Sequence, residues 1–178
     1  MWQKILSYGF VAGLIVAIPM NVMMVAMQGK PPLAWGMVFG YVTMLIALSA
    51  VFVAIKRYRD TELGGVIRFW PALGLGLGIS VVAGIIYVLA WELSLAITHI
   101  DFASAYADTL IAEKKAAGVS GDALAELTAE MNTFKTEYAN PLYRMPMTFA
   151  EIFPVGVLVS VVSAALLRNS RFLAARRA

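Results

Sequence analysis

The chain contains no cysteine, which excludes disulfides, thiolate metal sites and cysteine nucleophiles. It contains a single histidine, so no site in one chain can use a histidine pair. Charged residues make up 14% of the sequence, against about 25% in ordinary soluble domains. Phosphate-cradling glycine loops, zinc-ligand spacings and a Gly-x-Ser-x-Gly elbow are all missing. There is no internal repeat and no low-complexity linker. These absences remove most catalytic and nucleotide-binding classes before any residue is singled out.

Apolar residues are abundant. They form 61% of the chain, and the mean hydropathy is +0.78. They gather into four runs, roughly 5–27, 34–55, 71–97 and 148–167. Each is long enough for a hydrocarbon core of about 30 Å, which takes ~20 helical residues. Trp2, Trp35, Trp70 and Trp91 fall near successive run ends, where an indole keeps its ring buried and its N–H wet. The first run is too long for the apolar core of a signal peptide and lacks a clear cleavage site, so it is expected to be a retained anchor. The predicted architecture is all-α: one integral membrane domain over 1–178, a four-transmembrane-helix bundle with a short extracytoplasmic helical hairpin at 98–146.

Charge distribution orients this bundle. Lys4, Lys56, Arg57, Arg59, Arg68, Arg168, Arg171, Arg176 and Arg177 flank one set of run ends, whereas 98–146 is richer in acids. Basic loops stay in the cytoplasm. Both termini are therefore expected on the cytoplasmic side of a membrane and the acidic insert outside. The pI near 9.3 then reflects topology, and no nucleic-acid partner is expected. Lys56, Arg57, Arg59, Arg168, Arg171, Arg176 and Arg177 would also attract anionic headgroups, at about 1 kcal/mol each near the surface. Topology determination alone explains the same residues.

Local signals subdivide the chain. Pro19 is expected to kink the first run, with Asn21 placed to bond the freed carbonyl. Gly29-Lys30-Pro31-Pro32 reads as a short turn. From Gly84 to Gly118 there is neither Gly nor Pro, so the third run is expected to continue unbroken past Trp91 through Tyr106 and Leu110. Gly118 suits a helix end, and Ser120 with Asp122 suits the next start. Leu124, Leu127, Met131, Phe134 and Tyr138 then form a heptad-like seam. Its partner is the other arm of the hairpin or another protein.

Few side chains carry chemistry. Glu92 lies 21 residues past Pro71, roughly 31 Å along a helix, and so near the outer boundary. Interfacial solvation, an ion pair and proton chemistry are all open to it. Thr148-x-x-Glu151 matches a capping box ahead of the fourth run. His99 follows Glu92 by seven residues, on the same face of an unbroken helix, and Arg144 belongs to the same level. Glu92, His99, Arg144 and Glu151 are thus the candidate polar cluster. They form either a surface ion-pair group or a proton relay; no nucleophile is marked, and no catalytic residue is assigned. Met20, Met23, Met24, Met27, Met145 and Met147 supply thioethers, which suit Cu(I), but methionine is also an ordinary gap filler. No metal and no cofactor is expected. Gly9/Gly13, Gly36/Gly40 and Gly74/Gly78 place pairs of small residues on helix faces, for packing within the bundle or against a second copy or another membrane protein.

Two stretches carry a likeness. One runs from Gly40-Tyr41 through Met44 to the segment IKRYRDTELGGVIRFWPALGLG at 55–76. The other is YANPLYRMPMTFAEIFPVGVLVSVVSAAL at 138–166. With the charged insert between them they resemble the bacterial four-helix membrane family catalogued as domain of unknown function 4199, over nearly the whole chain. Tyr58-Arg59-Asp60 with Gly64-Gly65, and Asn140-Pro141-Leu142 with Thr148, Glu151 and Pro154-x-Gly156, carry it most specifically. The resemblance implies a bacterial integral membrane protein and brings no activity, cofactor or catalytic residue. The sequence favours a non-enzymatic accessory, assembly or envelope-associated component. A small transporter or proton-coupled carrier using Glu92, Glu151 and His99 is the alternative, and an intramembrane enzyme comes third. Few polar side chains fall at the midplane, which weighs against a carrier.

Overall fold

A computed structural model describes residues 1–28 and 33–174. The expected turn at 29–32 and the expected headgroup contacts of Arg176 and Arg177 lie outside the described residues. Among those described there are six helices: α1 (Trp2–Ala26), α2 (Leu33–Glu62), α3 (Phe69–Thr98), α4 (Phe102–Ala116), α5 (Gly121–Tyr138) and α6 (Pro141–Leu167). α1, α2, α3 and α6 are long and apolar enough to cross a membrane. In hydrocarbon a backbone must satisfy its polar groups internally, and a helix does so. Ser7, Thr43, Ser80 and Ser160 follow the same rule, each hydroxyl bonding the carbonyl four residues back.

α3 is the central element, packed along α1 on one side and α6 on the other, while α2 closes the bundle against α1 and α6. Small residues set these distances. A Cβ added at Gly9 would lie 2.5 Å from Val82 Cβ, and one at Gly13 would lie 2.6 Å from Ile86 Cβ. Gly78 likewise admits Ile5. Gly40 and Gly74 meet nothing within 4 Å, so among the described residues the packing role expected of them is not found. Their place is taken by Gly76, Gly84 and Gly156, which face Ser160, Phe149 and Ser80. The core between them includes Leu48, Val51, Leu75, Ile79 and Ile152, all fully buried. Trp2, Trp35 and Trp70 stand on the outer surface at 74–76% exposure.

Three local expectations change. α1 runs unbroken through Pro19, and the Asn21 amide donates to Ala17 O at 2.7 Å, not to the carbonyl that proline frees. The Ser94 hydroxyl in turn meets Asn21 Oδ1 and ties α3 to α1. α2 continues past Lys56 to Glu62, so the basic cluster forms its last turns. α3 does not run on into the insert. It ends at Thr98, where His99 takes a left-handed conformation (φ 52°), and Asp101 starts α4 by accepting from the Ser104 N–H at 3.0 Å. An aspartate cap supplies the acceptor that a new helix start needs, and no glycine or proline is required.

α4 and α5 pack on each other and sit where α3 ends and α6 begins. Met131 and Tyr138 are buried and Phe134 is half-buried, with the Phe134 ring 5.8 Å from Tyr106 and 5.1 Å from Tyr138. The opposite end of the bundle carries Lys4, the end of α2 and the end of α6. It is called the basic end below, and the other the helix-pair end.

Candidate functional site

The polar groups of the helix-pair end come from three helices. α3 contributes Trp91 and Glu92, α5 contributes Tyr138, and α6 contributes Arg144, Thr148 and Glu151. Arg144 grips Glu92 with two prongs: Nε donates to Oε1 at 2.7 Å and Nη2 to Oε2 at 2.5 Å. Its Nη1 donates to Tyr138 O at 3.0 Å, and the guanidinium lies 5.5 Å from the Tyr138 ring centre. Fork-to-fork geometry of this kind is the strongest form of the pair. Of the three readings open to Glu92, the ion pair is the one the structure contains.

Tyr138 is the hinge point of this end. Its hydroxyl accepts from Trp91 Nε1 at 2.8 Å, and its ring packs against Phe102 and Phe134. Burial pushes its phenol well above the ordinary tyrosine range, so it stays protonated. Trp91 is only 4% exposed, and Phe102 meets it edge-on at 5.0 Å. It is therefore an internal anchor for α4 and α5; a wet boundary indole would leave its N–H to solvent.

The expected Thr148–Glu151 capping box does not form. Asn140 caps α6 by accepting from the Leu142 N–H at 3.0 Å, and Pro141 takes the first helical position, where a missing N–H matters least. Thr148 is thus two turns inside the helix, and its hydroxyl bonds Arg144 O at 3.0 Å. His99 is exposed at the end of α3 and shares no hydrogen bond or ion pair with Glu92, Arg144 or Glu151 among the described residues. The four-residue cluster therefore resolves into one ion pair, one surface histidine and one separate carboxylate.

That carboxylate, Glu151, borders a groove of about 400 Å³. Its Oε2 lies 3.4 Å from the Tyr87 hydroxyl, whose oxygen is also 2.9 Å from Met20 Sδ. α1 walls the groove with Met20, Met23, Met24 and Met27. α2 adds Gly36, Met37, Gly40, Tyr41 and Met44. α4 adds Phe102, Tyr106 and Leu110, with Trp91 behind them. Met145 and Met147 do not line it. Sequence reasoning named the α1 methionines and Glu151 separately. It missed Met37, Met44 and Tyr41, whose spacing on α2 places them on one face. Among the described residues no three histidine, aspartate or glutamate side chains gather as a metal-binding group.

At the basic end one expectation is overturned. Arg59 is not a headgroup contact: it is fully buried. Its Nε donates to Asp60 Oδ1 at 2.7 Å, Nη1 to Phe172 O at 2.9 Å and Nη2 to Leu173 O at 2.8 Å. The planar fork suits several carbonyls at once, as a lysine would not. Lys56 is held by Asp60 at 2.6 Å and Lys4 by Glu62 at 2.8 Å. Arg57, Arg168 and Arg171 are exposed.

These features define an all-helical protein with four helices apolar enough for a membrane. The chain belongs to the family described as "Protein of unknown function (DUF4199)", whose model matches residues 7–169. No curated protein and no solved structure matches the chain.

Proposed function

We propose that the protein is a non-enzymatic, multi-pass component of a bacterial inner membrane. Both termini lie in the cytoplasm, and α4 with α5 lies outside as the working surface of an accessory, assembly or envelope-associated role. The observation that carries this reading is the Glu92–Arg144 pair. The carboxylate with the best claim to proton chemistry is held by a guanidinium that also fastens α6 to α3 and α5. Deeper in the bundle, the buried hydroxyls of Ser80 and Ser160 bond their own helices and lie 3.3 Å apart, which supports packing more than a polar path.

Paired removal tests the role of Glu92. Arg144→Leu alone should lower stability by about 2 to 3 kcal/mol, because it strands a partly buried carboxylate. Glu92→Leu with Arg144→Leu should recover most of that stability and keep normal growth, since an apolar pair replaces an ion pair at little cost. Normal insertion and stability with a null phenotype in the double variant would defeat the structural reading. Orientation is tested separately. The chain has no native cysteine, so Ala117→Cys and Ala174→Cys can each be probed in intact cells with an impermeant thiol reagent. Labelling is expected at 117 and not at 174; the reverse result overturns the assignment.

A second reading, a small carrier, is favoured by one observation. Glu151 stands apart from Arg144 and faces the groove. With Glu92 paired and His99 at the surface, that reading rests on Glu151.

A further inference from the structure

Among the described residues, Glu151 is the one charged side chain on the wall of the groove, and no cation lies within 4.0 Å of it. Its single close donor is the Tyr87 hydroxyl, which Met20 Sδ shares at shorter range. Glu151 is exposed beside the groove, and a carboxylate has room for about four hydrogen bonds, so most of its capacity is open. A charge in apolar surroundings is costly without a partner. The remaining walls are mostly thioethers and aromatic side chains, with Leu110 and two glycines.

We propose that this groove binds a lipophilic organic cation: a small molecule with one quaternary or delocalised positive centre and aryl or alkyl substituents. Binding of this kind is independent of the accessory role proposed above. Four observations converge on it. The volume of about 400 Å³ lies within the usual range of small-molecule sites, about 300–1,000 Å³. The carboxylate complements one positive charge. Tyr41 and Tyr106 offer aromatic faces, which attract cations through the ring quadrupole. The methionines are flexible and polarisable, and such surfaces adapt to ligands of varied shape. Anionic and zwitterionic lipids fit less well, because no lining side chain among the described residues is a cation and Arg144 is engaged by Glu92. Cu(I) fits less well too. It needs sulfurs free to converge on a point, whereas Met20 Sδ is engaged by the Tyr87 hydroxyl.

The test is binding of radiolabelled tetraphenylphosphonium to the purified full chain in lipid nanodiscs, with triphenylphosphine oxide as the uncharged competitor. Two variants approach the groove differently. Glu151→Gln removes the charge and keeps the shape. Gly40→Phe fills the cavity and leaves the charge, and a side chain at Gly40 meets nothing within 4 Å at its base. Saturable binding is expected in the wild type, weakened at least tenfold in both variants and hardly displaced by the uncharged compound. If Glu151→Gln fails to fold, Gly40→Phe decides alone. The proposal is overturned by a lack of saturable binding, by equal binding in a folded variant, by full displacement with the uncharged compound, or by Cu(I) binding without the organic cation.

Discussion

The two ends of the bundle each contain an arginine fork, and the forks do opposite things to their surroundings. At the basic end, Arg59 reaches from α2 to backbone carbonyls beyond α6, and the neighbouring Lys56 and Lys4 are paired with Asp60 and Glu62. Charges near the core are engaged with the chain itself. At the helix-pair end, Arg144 satisfies Glu92 and the Tyr138 carbonyl, but a second carboxylate remains two turns further along α6 with only a phenol beside it. The first end is a lock. The second holds the same kind of lock plus one open charge. A buried polar group that closes the structure and an exposed one beside a cavity have different consequences, although composition counts them alike.

The largest effect that could break this comparison is expected at Arg59. Arg59→Leu should destabilise the protein by roughly 3 kcal/mol, since it removes the shared donor of the Leu167, Phe172 and Leu173 carbonyls and leaves Asp60 with Lys56 alone. Arg59→Lys should recover little, because an ammonium cannot reproduce the planar fork. Thermal unfolding in detergent reads both; wild-type stability for Arg59→Lys would show that charge alone suffices and that the basic end is not a geometric lock.

A smaller effect is expected at Phe134. Its ring is half-buried between Tyr106 and Tyr138, so Phe134→Ala should cost about 2 kcal/mol, below the full range for buried aromatics. The loss should be local: hydrogen exchange should rise across α4 and α5 while the four long helices keep their protection. Uniform loss of protection would mean that the helix-pair end is as tightly coupled to the bundle as the basic end.

The smallest concerns Asp101. The Ser104 backbone N–H, with the Ser104 hydroxyl adding to it, holds the Asp101 carboxyl below its ordinary range. A lowered folded-state value means that the cap stabilises α4 above the unfolded value of about 3.9 and ceases to do so as pH falls through the folded value. Asp101→Ala should cost about 1 kcal/mol at neutral pH. The gap between variant and wild type should close in acid, below pH ~4. A gap that persists at low pH would assign the loss to packing.

The four apolar helices were legible because a membrane demands length and hydrophobicity, which composition records directly. Their partners were less so. Gly9, Gly13 and Gly78 were found by glycine spacing alone, but the α3–α6 contact alternates glycine with serine, as Gly76-Ser80-Gly84 against Gly156-Ser160. Counting small residues of any kind every four positions would have exposed it. The break at His99 was hidden because no glycine or proline marks it; the usable signal was Asp101 three residues before Ser104. Asn140-Pro141 was used only for the family likeness, though asparagine followed by proline is also a helix start. Nothing in a row of basic residues says which one turns inward, so Arg59 needed coordinates. Glu151 was legible as a candidate, yet its isolation was not, because isolation depends on where Arg144 points.

The Arg59 contacts also impose an order on manufacture. Leu167, whose carbonyl lies 3.4 Å from Arg59 Nη1, stands 108 positions later in the chain, and Phe172 and Leu173 are later still. Translation delivers the guanidinium long before its acceptors. Until a ribosome has passed residue 173, the end of α2 carries a cation that the finished protein hides. A released chain truncated after residue 166 should therefore be cut by protease at the end of α2 faster than the full chain. Equal cleavage of the two would sever the link between synthesis and closure. If the link stands, the difference gives a membrane protease a chemical mark for telling an unfinished copy from a complete one.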